Sequence, residues 1–317
     1  MKNLILLLLF ISFHTIVKAQ SLRFELSDYT LLPQKPEGEL HGISGIEFVP
    51  SKNQWHLASD RGNYFIFDSI NTIQDFGKRQ KLAVHKKTGL WYEAIRFDAR
   101  SNTFLYAVEN EYTANSETCD TTTYVSYMDS FPPSFLIPPF HLPADNKGIE
   151  AIAVTENGNV WVAPEAGWAG ETEVGNDTIH FRKFEKAVSG YAEVGAYSYI
   201  IDRSGCPQSP TEKRGGISEI ISVNETQLLV LERCFDLKVT NKIKAKLWQV
   251  TVDGAHLKKD IKPAFDFNEG FPLVVDNLEG MSWWNNDNGK RQLLLITDDN
   301  PGMKNKQQTQ LILLKEK

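Results

Sequence analysis

Five stretches of the chain share one pattern of apolar and polar positions: Gly42-Ile-Ser-Gly-Ile-Glu-Phe48, Trp91-Tyr-Glu-Ala-Ile-Arg-Phe97, Gly148-Ile-Glu-Ala-Ile-Ala-Val154, Gly216-Ile-Ser-Glu-Ile-Ile-Ser222 and Asn277-Leu-Glu-Gly-Met-Ser-Trp283. Their aligned positions Ser44, Glu93, Glu150, Ser218 and Glu279 lie 49, 57, 68 and 61 residues apart, too uneven for a solenoid but suited to blades with variable loops. Each stretch leads through a turn into a second apolar run ending in an acid: Asp60, Glu109, Glu165, Glu232 and Asp298. The acid follows the aligned position by 14 to 19 residues, enough for two short strands and a turn. Marker and acid are therefore expected at the same end of a hairpin. The turns Glu156-Asn-Gly-Asn159 and Asn286-Asp-Asn-Gly289 carry residues that tolerate positive φ.

Two further strand-like runs follow most of these hairpins. They are Tyr64–Phe67 and Arg79–Ala83, Thr123–Tyr127 and Phe135–Ile137, Thr178–Arg182 and Ala196–Ile201, and Ala245–Val250 and Pro263–Phe267. The fifth hairpin has only Thr309–Leu314 after it, and Leu22–Leu26 supplies the missing strand and closes the ring. Four strands per repeat in radial succession predict an all-β propeller of five blades, with Ile201–Gly215 leaving room for a sixth. No convincing amphipathic helix, Pro-rich linker or charge run divides residues 20–317, which are expected to form one domain.

The first residues change the picture of where the chain works. A basic start at Lys2, an apolar run Leu4–Ile11 and Ala19 before Gln20 have the parts of a secretory signal peptide, giving a mature chain from Gln20 in the periplasm or secreted. The run is too short to span a bilayer, and no later segment approaches that length. No Cys follows the expected cut, so lipid anchoring is not suggested. The three cysteines, Cys119, Cys206 and Cys234, allow one disulfide in such a compartment, with its partners left open, or remain free thiols. The net charge is −6, and it becomes −8 once Lys2 and Lys18 are removed, which argues against nucleic acid or anionic membrane as partner.

The repeat concentrates carboxylates. If the hairpins are blades, Glu93, Glu150 and Glu279 from the markers converge with Asp60, Glu109, Glu165, Glu232 and Asp298 on one mouth of the axial channel. So many like charges need a hard cation or arginines beside them. Oxygen ligands without His or Cys favour Ca²⁺, or Mg²⁺, over Zn²⁺. Arg61 and Arg233, beside Asp60 and Glu232, supply the competing answer, structural Arg–carboxylate pairs between blades. Nucleophile elbows, zinc motifs, phosphate loops and dinucleotide fingerprints are absent, and the seven His are scattered.

Gly42-Ile-Ser-Gly-Ile with Ser59-Asp-Arg-Gly62, Gly148-Ile-Glu-Ala-Ile-Ala with Pro164-Glu165, Leu229-Val-Leu-Glu-Arg233, and Asn277-Leu-Glu-Gly-Met with Thr297-Asp-Asp-Asn300 together resemble the phytase-like propeller family, "esterase-like activity of phytase". The likeness runs from about Gly42 to Leu314. It implies a secreted or periplasmic propeller and Ca²⁺-supported phosphoester hydrolysis, with carboxylates holding metal and Arg61 or Arg233 binding the phosphate of a small-molecule substrate. The Asp-Ala-Pro-Asp-Asp-Pro-Ala signature of established propeller phytases is missing, as is a lysine cluster within the repeat, which argues against phytate. The alternative is a non-catalytic propeller that captures a ligand or protein at the funnel or at an aromatic rim including Trp168, Trp283 and Trp284. Tryptophans of this kind also wedge between blades as core.

Overall fold

The computed structural model describes residues 21–33, 40–78, 82–87, 91–109, 124–127, 135–136, 149–168, 171, 177–187, 190–206, 215–236, 242–284, 291–300 and 307–317. The signal segment, Cys119 and the turn at 286–289 lie outside them.

After strand β1 (Phe24–Leu31) the chain lays down successive antiparallel blades. The first is β2 (Ile43–Val49), β3 (Gln54–Ser59), β4 (Asn63–Asp68) and β5 (Leu82–Lys87); the second is β6 (Trp91–Asp98), β7 (Thr103–Glu109), β8 (Tyr124–Tyr127) and β9 (Phe135–Leu136). The third is β10 (Ile149–Val154), β11 (Val160–Pro164), β12 (Thr178–Ala187) and β13 (Gly190–Ile200). The fourth is β14 (Gly216–Asn224), β15 (Gln227–Asp236), β16 (Lys242–Asp253) and β17 (His256–Lys259), with β18 (Phe265–Asp266) continuing its outer edge along β16. The fifth is β19 (Asn277–Trp284), β20 (Gln292–Asp298) and β21 (Gln310–Glu316), completed by β1.

The five innermost strands pack in cyclic order β2, β6, β10, β14, β19 and back to β2. This is the propeller expected from the repeat. Five clusters of buried side chains lie one at each junction between neighbouring blades. Both faces of a blade meet a neighbour, so runs such as Leu228–Leu231 and Leu293–Ile296 are apolar without alternation. Trp55, Trp161 and Trp168 fill these junctions and are almost wholly buried.

The N-terminal strand closes the ring. In β1, Leu26 pairs with Leu314 and Phe24 with Glu316, while the Phe24 amide donates to the Ala264 carbonyl of the fourth blade at 3.0 Å. Leu22 and Phe24 are buried in the cluster between blades four and five. The third and fourth blades are also joined along their rims by a parallel contact of Ser198 with His256, which merges them into one sheet. The Cys206–Cys234 disulfide ties the chain after β13 to β15.

Several strands differ in extent from the sequence expectation. The described outer strand of blade one is Leu82–Lys87, so the expected run Arg79–Ala83 overlaps it only at its end and otherwise lies outside the described residues; a 3₁₀ turn, Ile73–Gly77, precedes it. Thr72 and Asp75 form a capping box there, and Asp75 also accepts from the amides of Asn71 and Thr72. In blade four the polar run His256–Lys259 is a strand, whereas the expected Pro263–Phe267 contributes only the short β18 before a one-turn helix, α1 (Phe267–Gly270). Asp266 caps that helix by accepting from Asn268. Among the described residues no helix is long and apolar enough to cross a membrane.

Candidate functional site: an Arg-bridged carboxylate mouth

Marker and acid do meet at one end of each hairpin. Ile43 pairs with Ser59, Trp91 with Glu109, Ile149 with Pro164, Ile217 with Glu232 and Asn277 with Asp298. In all five hairpins the register slips at the marker: Ser44, Glu93, Glu150, Ser218 and Glu279; the fourth slips again at Val223, near its turn. A bulge of this kind takes one residue out of the ladder and re-aims its side chain. The repeated bulge is thus the backbone cause of the carboxylate cluster.

Two carboxylates from different blades, Glu150 and Glu279, are bridged by Arg233. Its guanidinium lies 3.2 Å from Glu150 Oε1 and 2.7 Å from Glu279 Oε1, and it donates to Asn277 Oδ1. Asn277 in turn donates to Glu279 at 2.6 Å. Arg233 reaches the axis because it pairs with Gly216, where a Cβ would stand 2.3 Å from the Glu165 carbonyl oxygen. Only glycine lets the two backbones close to the 2.9 Å hydrogen bond from the Ile217 amide to Glu165.

Burial is the main cause that raises the Glu150 carboxyl well above its usual range, with the charges of Glu165, Glu279 and Glu93 adding to it and Arg233 opposing. Burial likewise pushes Glu279 to about 8; Arg233 opposes, while Asp298 and Glu165 reinforce. Burial disfavours the Arg233 charge, but Glu279, Glu150 and Glu165 outweigh it and hold the guanidinium protonated. Across the mouth Asp298 is pushed to about 7 by burial and by Asp60, against the Asn300 amide that donates to it at 2.9 Å. Arg61 lies 3.4 Å from Asp60 and leaves 46% of its side chain exposed at the rim. Asp299 holds the entrance of blade one, accepting from the Gly42 amide at 3.1 Å and contacting His41 Nδ1 at 2.5 Å.

The structure therefore gathers Glu93, Glu150, Glu165 and Glu279 around Arg233, and Asp60 and Asp298 beside Arg61. Glu232 is placed elsewhere. It is buried between blades three and four, 2.6 Å from Lys259 and 2.8 Å from the Tyr199 hydroxyl. Burial pushes Glu232 up and Lys259 down, and their mutual attraction opposes both shifts. The inversion follows from strand alternation: with Arg233 turned to the axis, the preceding residue points the other way. Glu109 ends β7 at the mouth, and its side chain lies outside the described residues.

A second group lies deeper in the channel. Arg96, 2% exposed, contacts Glu219 at 2.6 Å and Glu47 at 3.6 Å. It also donates to the carbonyls of Ile95 (2.6 Å), Ile220 (2.9 Å) and Ile46 (3.3 Å). Ser282 donates to Glu47 at 3.3 Å and accepts from the Phe48 amide, so four blades meet at this point. Burial raises Glu47 to about 7 and Glu219 to about 8, against the Arg96 charge. The sequence held a signal for this group: Glu47 and Arg96 occupy the same place three residues after a marker, with opposite charge.

Of the tryptophans considered as a rim, Trp168 is core, and Trp283 donates to the Ser222 carbonyl at 2.8 Å beneath the Arg291 guanidinium. Trp284, partly exposed like Trp283, walls a groove at the opposite end of the channel.

The carboxylate donors have the chemistry of a hard-cation site, but their arrangement does not fit bound Ca²⁺. The place where Glu150 and Glu279 meet is filled by a guanidinium, and among the described residues no three His, Cys, Asp or Glu side chains converge as a metal requires.

Residues 38–301 match the family described as "Phytase-like: Esterase-like activity of phytase". No curated protein sequence matches the chain. Solved structures that are similar include RRP9 WD40 repeats (8% identical, covering 92% of this chain and 99% of that one, TM-score 0.48). Others are a luciferin-regenerating enzyme (7%, 90% and 95%, TM-score 0.43) and the N-terminal domain of Nup159 (8%, 93% and 96%, TM-score 0.39).

Proposed function

The chain belongs to the phytase-like family, and from that premise we propose that its carboxylate mouth hydrolyses small phosphoesters by proton transfer between buried acids. The observation that carries this reading is the pair Glu150 and Glu279, brought from different blades onto one guanidinium, with burial raising both carboxyls above their usual range. Two coupled carboxyls that share protons supply both a base and an acid. One accepts a proton from the attacking water as oxygen bonds to phosphorus. The ester P–O bond then breaks, and the protonated neighbour gives its proton to the leaving oxygen. Protonation also lessens repulsion of the anionic substrate, and the half-exposed Arg61 is the cation placed to receive it.

Calcium enters no step of this proposal, since Arg233 already holds the position a cation would take. The test is turnover of p-nitrophenyl phosphate and bis(p-nitrophenyl) phosphate, with and without chelator, from about pH 5 to 9. Expected are chelator-resistant rates that fall as pH rises through about 8, where Glu279 loses its proton, and loss of turnover in Glu279→Gln. Strictly calcium-dependent turnover would overturn the mechanism. No turnover at all would leave a binding propeller, the reading favoured by the mutual satisfaction of Arg233 and its two carboxylates.

We also infer that the protein works outside the cytoplasm. The tripartite N-terminus supports this, and a Cys206–Cys234 disulfide suits an oxidising compartment. The exported protein should begin at Gln20 in a mass spectrum; an intact Met1 would remove the inference.

A further inference from the structure

A cavity lies on the opposite face from the carboxylates, where the ring is sealed. A groove of about 610 Å³ runs between the lower ends of blades one and five, across the closing strand. Its polar lining includes Asp28, Asn53, Asn71, Thr72, Trp284 and Gln292, over a floor that includes Ile73 and Leu313. The volume is that of a small-molecule site.

The walls are set by separate local structures. The register of β1 against β21 slips between Leu26 and Asp28, which turns that part of the closing strand outward. Gln74 of the 3₁₀ turn donates to Asp28 at 2.9 Å, fixing the turn against β1, while the capping box holds Asn71 and Thr72 at its start. Asn53 adopts φ 49° at the tip of the first hairpin, a conformation asparagine tolerates. Trp284 is braced by Trp55, ring centroids 5.3 Å apart in an edge-on contact, so the indole is a fixed wall.

The composition of the lining decides the class of ligand. No Lys, Arg or His is among the described residues that line it, so it does not suit a phosphate or other anion. The single carboxylate, Asp28, is engaged by Gln74 and the Tyr29 amide, which makes it a poor anchor for a cation. What remains is amides that both donate and accept, the hydroxyls of Ser27 and Thr72 and an immobile indole beside a little apolar floor. We propose that this groove binds a neutral polyhydroxylated ligand, an oligosaccharide, whose C–H face lies on Trp284 while its hydroxyls bond Asn71, Thr72 and Gln292. The site is separate from the carboxylate mouth and does not depend on catalysis there.

A ligand in this position spans the seam between β1, blade one and blade five, so its binding must favour the closed ring. The experiment is calorimetric titration of the mature protein with cellohexaose, maltohexaose, mannohexaose and chitohexaose, with inositol hexakisphosphate as the charged control. At least one neutral hexasaccharide should bind saturably and raise the melting temperature. Asn71→Ala and Gln292→Ala, both outside the core, should each weaken it about tenfold, the usual loss for one hydrogen bond of this kind, with the unliganded melting temperature unchanged. Trp284→Leu should abolish it. Failure of all four sugars to bind folded protein, or binding that survives both the Asn71 and Gln292 substitutions, would overturn the proposal. So would displacement of a bound sugar by the charged control.

Discussion

Replacing Arg96 by methionine isolates the energetics of the deep charge group. The substitution roughly preserves volume, removes the partner of Glu219 at 2.6 Å and of Glu47 at 3.6 Å, and frees three carbonyls. Loss of one member of a buried ion group costs about 3–5 kcal/mol, chiefly through the charges left behind. The cost must depend on pH. With Glu47 at about 7 and Glu219 at about 8, the folded protein binds protons that the unfolded chain releases near its ordinary carboxylate value. Stability therefore falls as pH rises from about 4.5 through about 8 in the native protein. In Arg96→Met the attraction that opposes burial is gone, both carboxyls are driven higher, and the fall continues beyond pH 8. At pH 5 both acids are protonated in either protein, so the freed carbonyls, on the order of 1–3 kcal/mol, are offset by removal of a buried guanidinium that then lacks a counter-charge, and the difference is smallest. Urea denaturation of the two proteins at pH 5, 7 and 9 measures this directly. The difference should widen with pH, and the triple variant Arg96→Met, Glu47→Gln, Glu219→Gln should recover most of the loss at pH 9. A difference that is flat with pH, or below about 1 kcal/mol at pH 9, would refute the view that burial governs these acids.

Two further outcomes follow from the seam and the disulfide. Deleting residues 20–30 removes Leu22 and Phe24 from the core and uncovers β21, and should lower unfolding free energy by several kcal/mol, about 2 for each large side chain plus the lost pairing; an unchanged melting curve would argue against ring closure by β1. Cys206→Ser with Cys234→Ser opens a link of sequence separation 28 and should cost about 3–4 kcal/mol on the loop-entropy estimate, measured by thermal unfolding under non-reducing conditions.

Much of the architecture was legible because packing on both faces forces a recognisable composition. Leu228–Leu231 and Leu293–Ile296 could only be strands covered on both sides, and their regular partners fixed the blade order. The outer strands were less legible. His256–Lys259 is held by pairing with Val250–Asp253 and buries only Leu257, so its polar sequence carried little signal. At the mouth, the residue types were evident but their directions were not. Glu232 and Arg233 are adjacent, and nothing in Leu-Glu-Arg-Cys says which one faces the axis; that is decided by the pairing of Arg233 with Gly216. Ile-Glu47-Phe and Ile-Arg96-Phe look like ordinary strands with one wet face, and only the closed ring turns that face into a buried channel.

The slip at each marker has a consequence for how such a ring can change. A residue outside the hydrogen-bond ladder can be exchanged without disturbing the strands that flank it. Ser44 and Ser218 already hold places that Glu93, Glu150 and Glu279 hold elsewhere, inside hairpins of the same form. The five positions thus behave as sockets. Their occupants set the charge and proton inventory of the mouth, while the blades beneath keep the same construction, so a relative with other residues in the sockets would present different chemistry on the same frame.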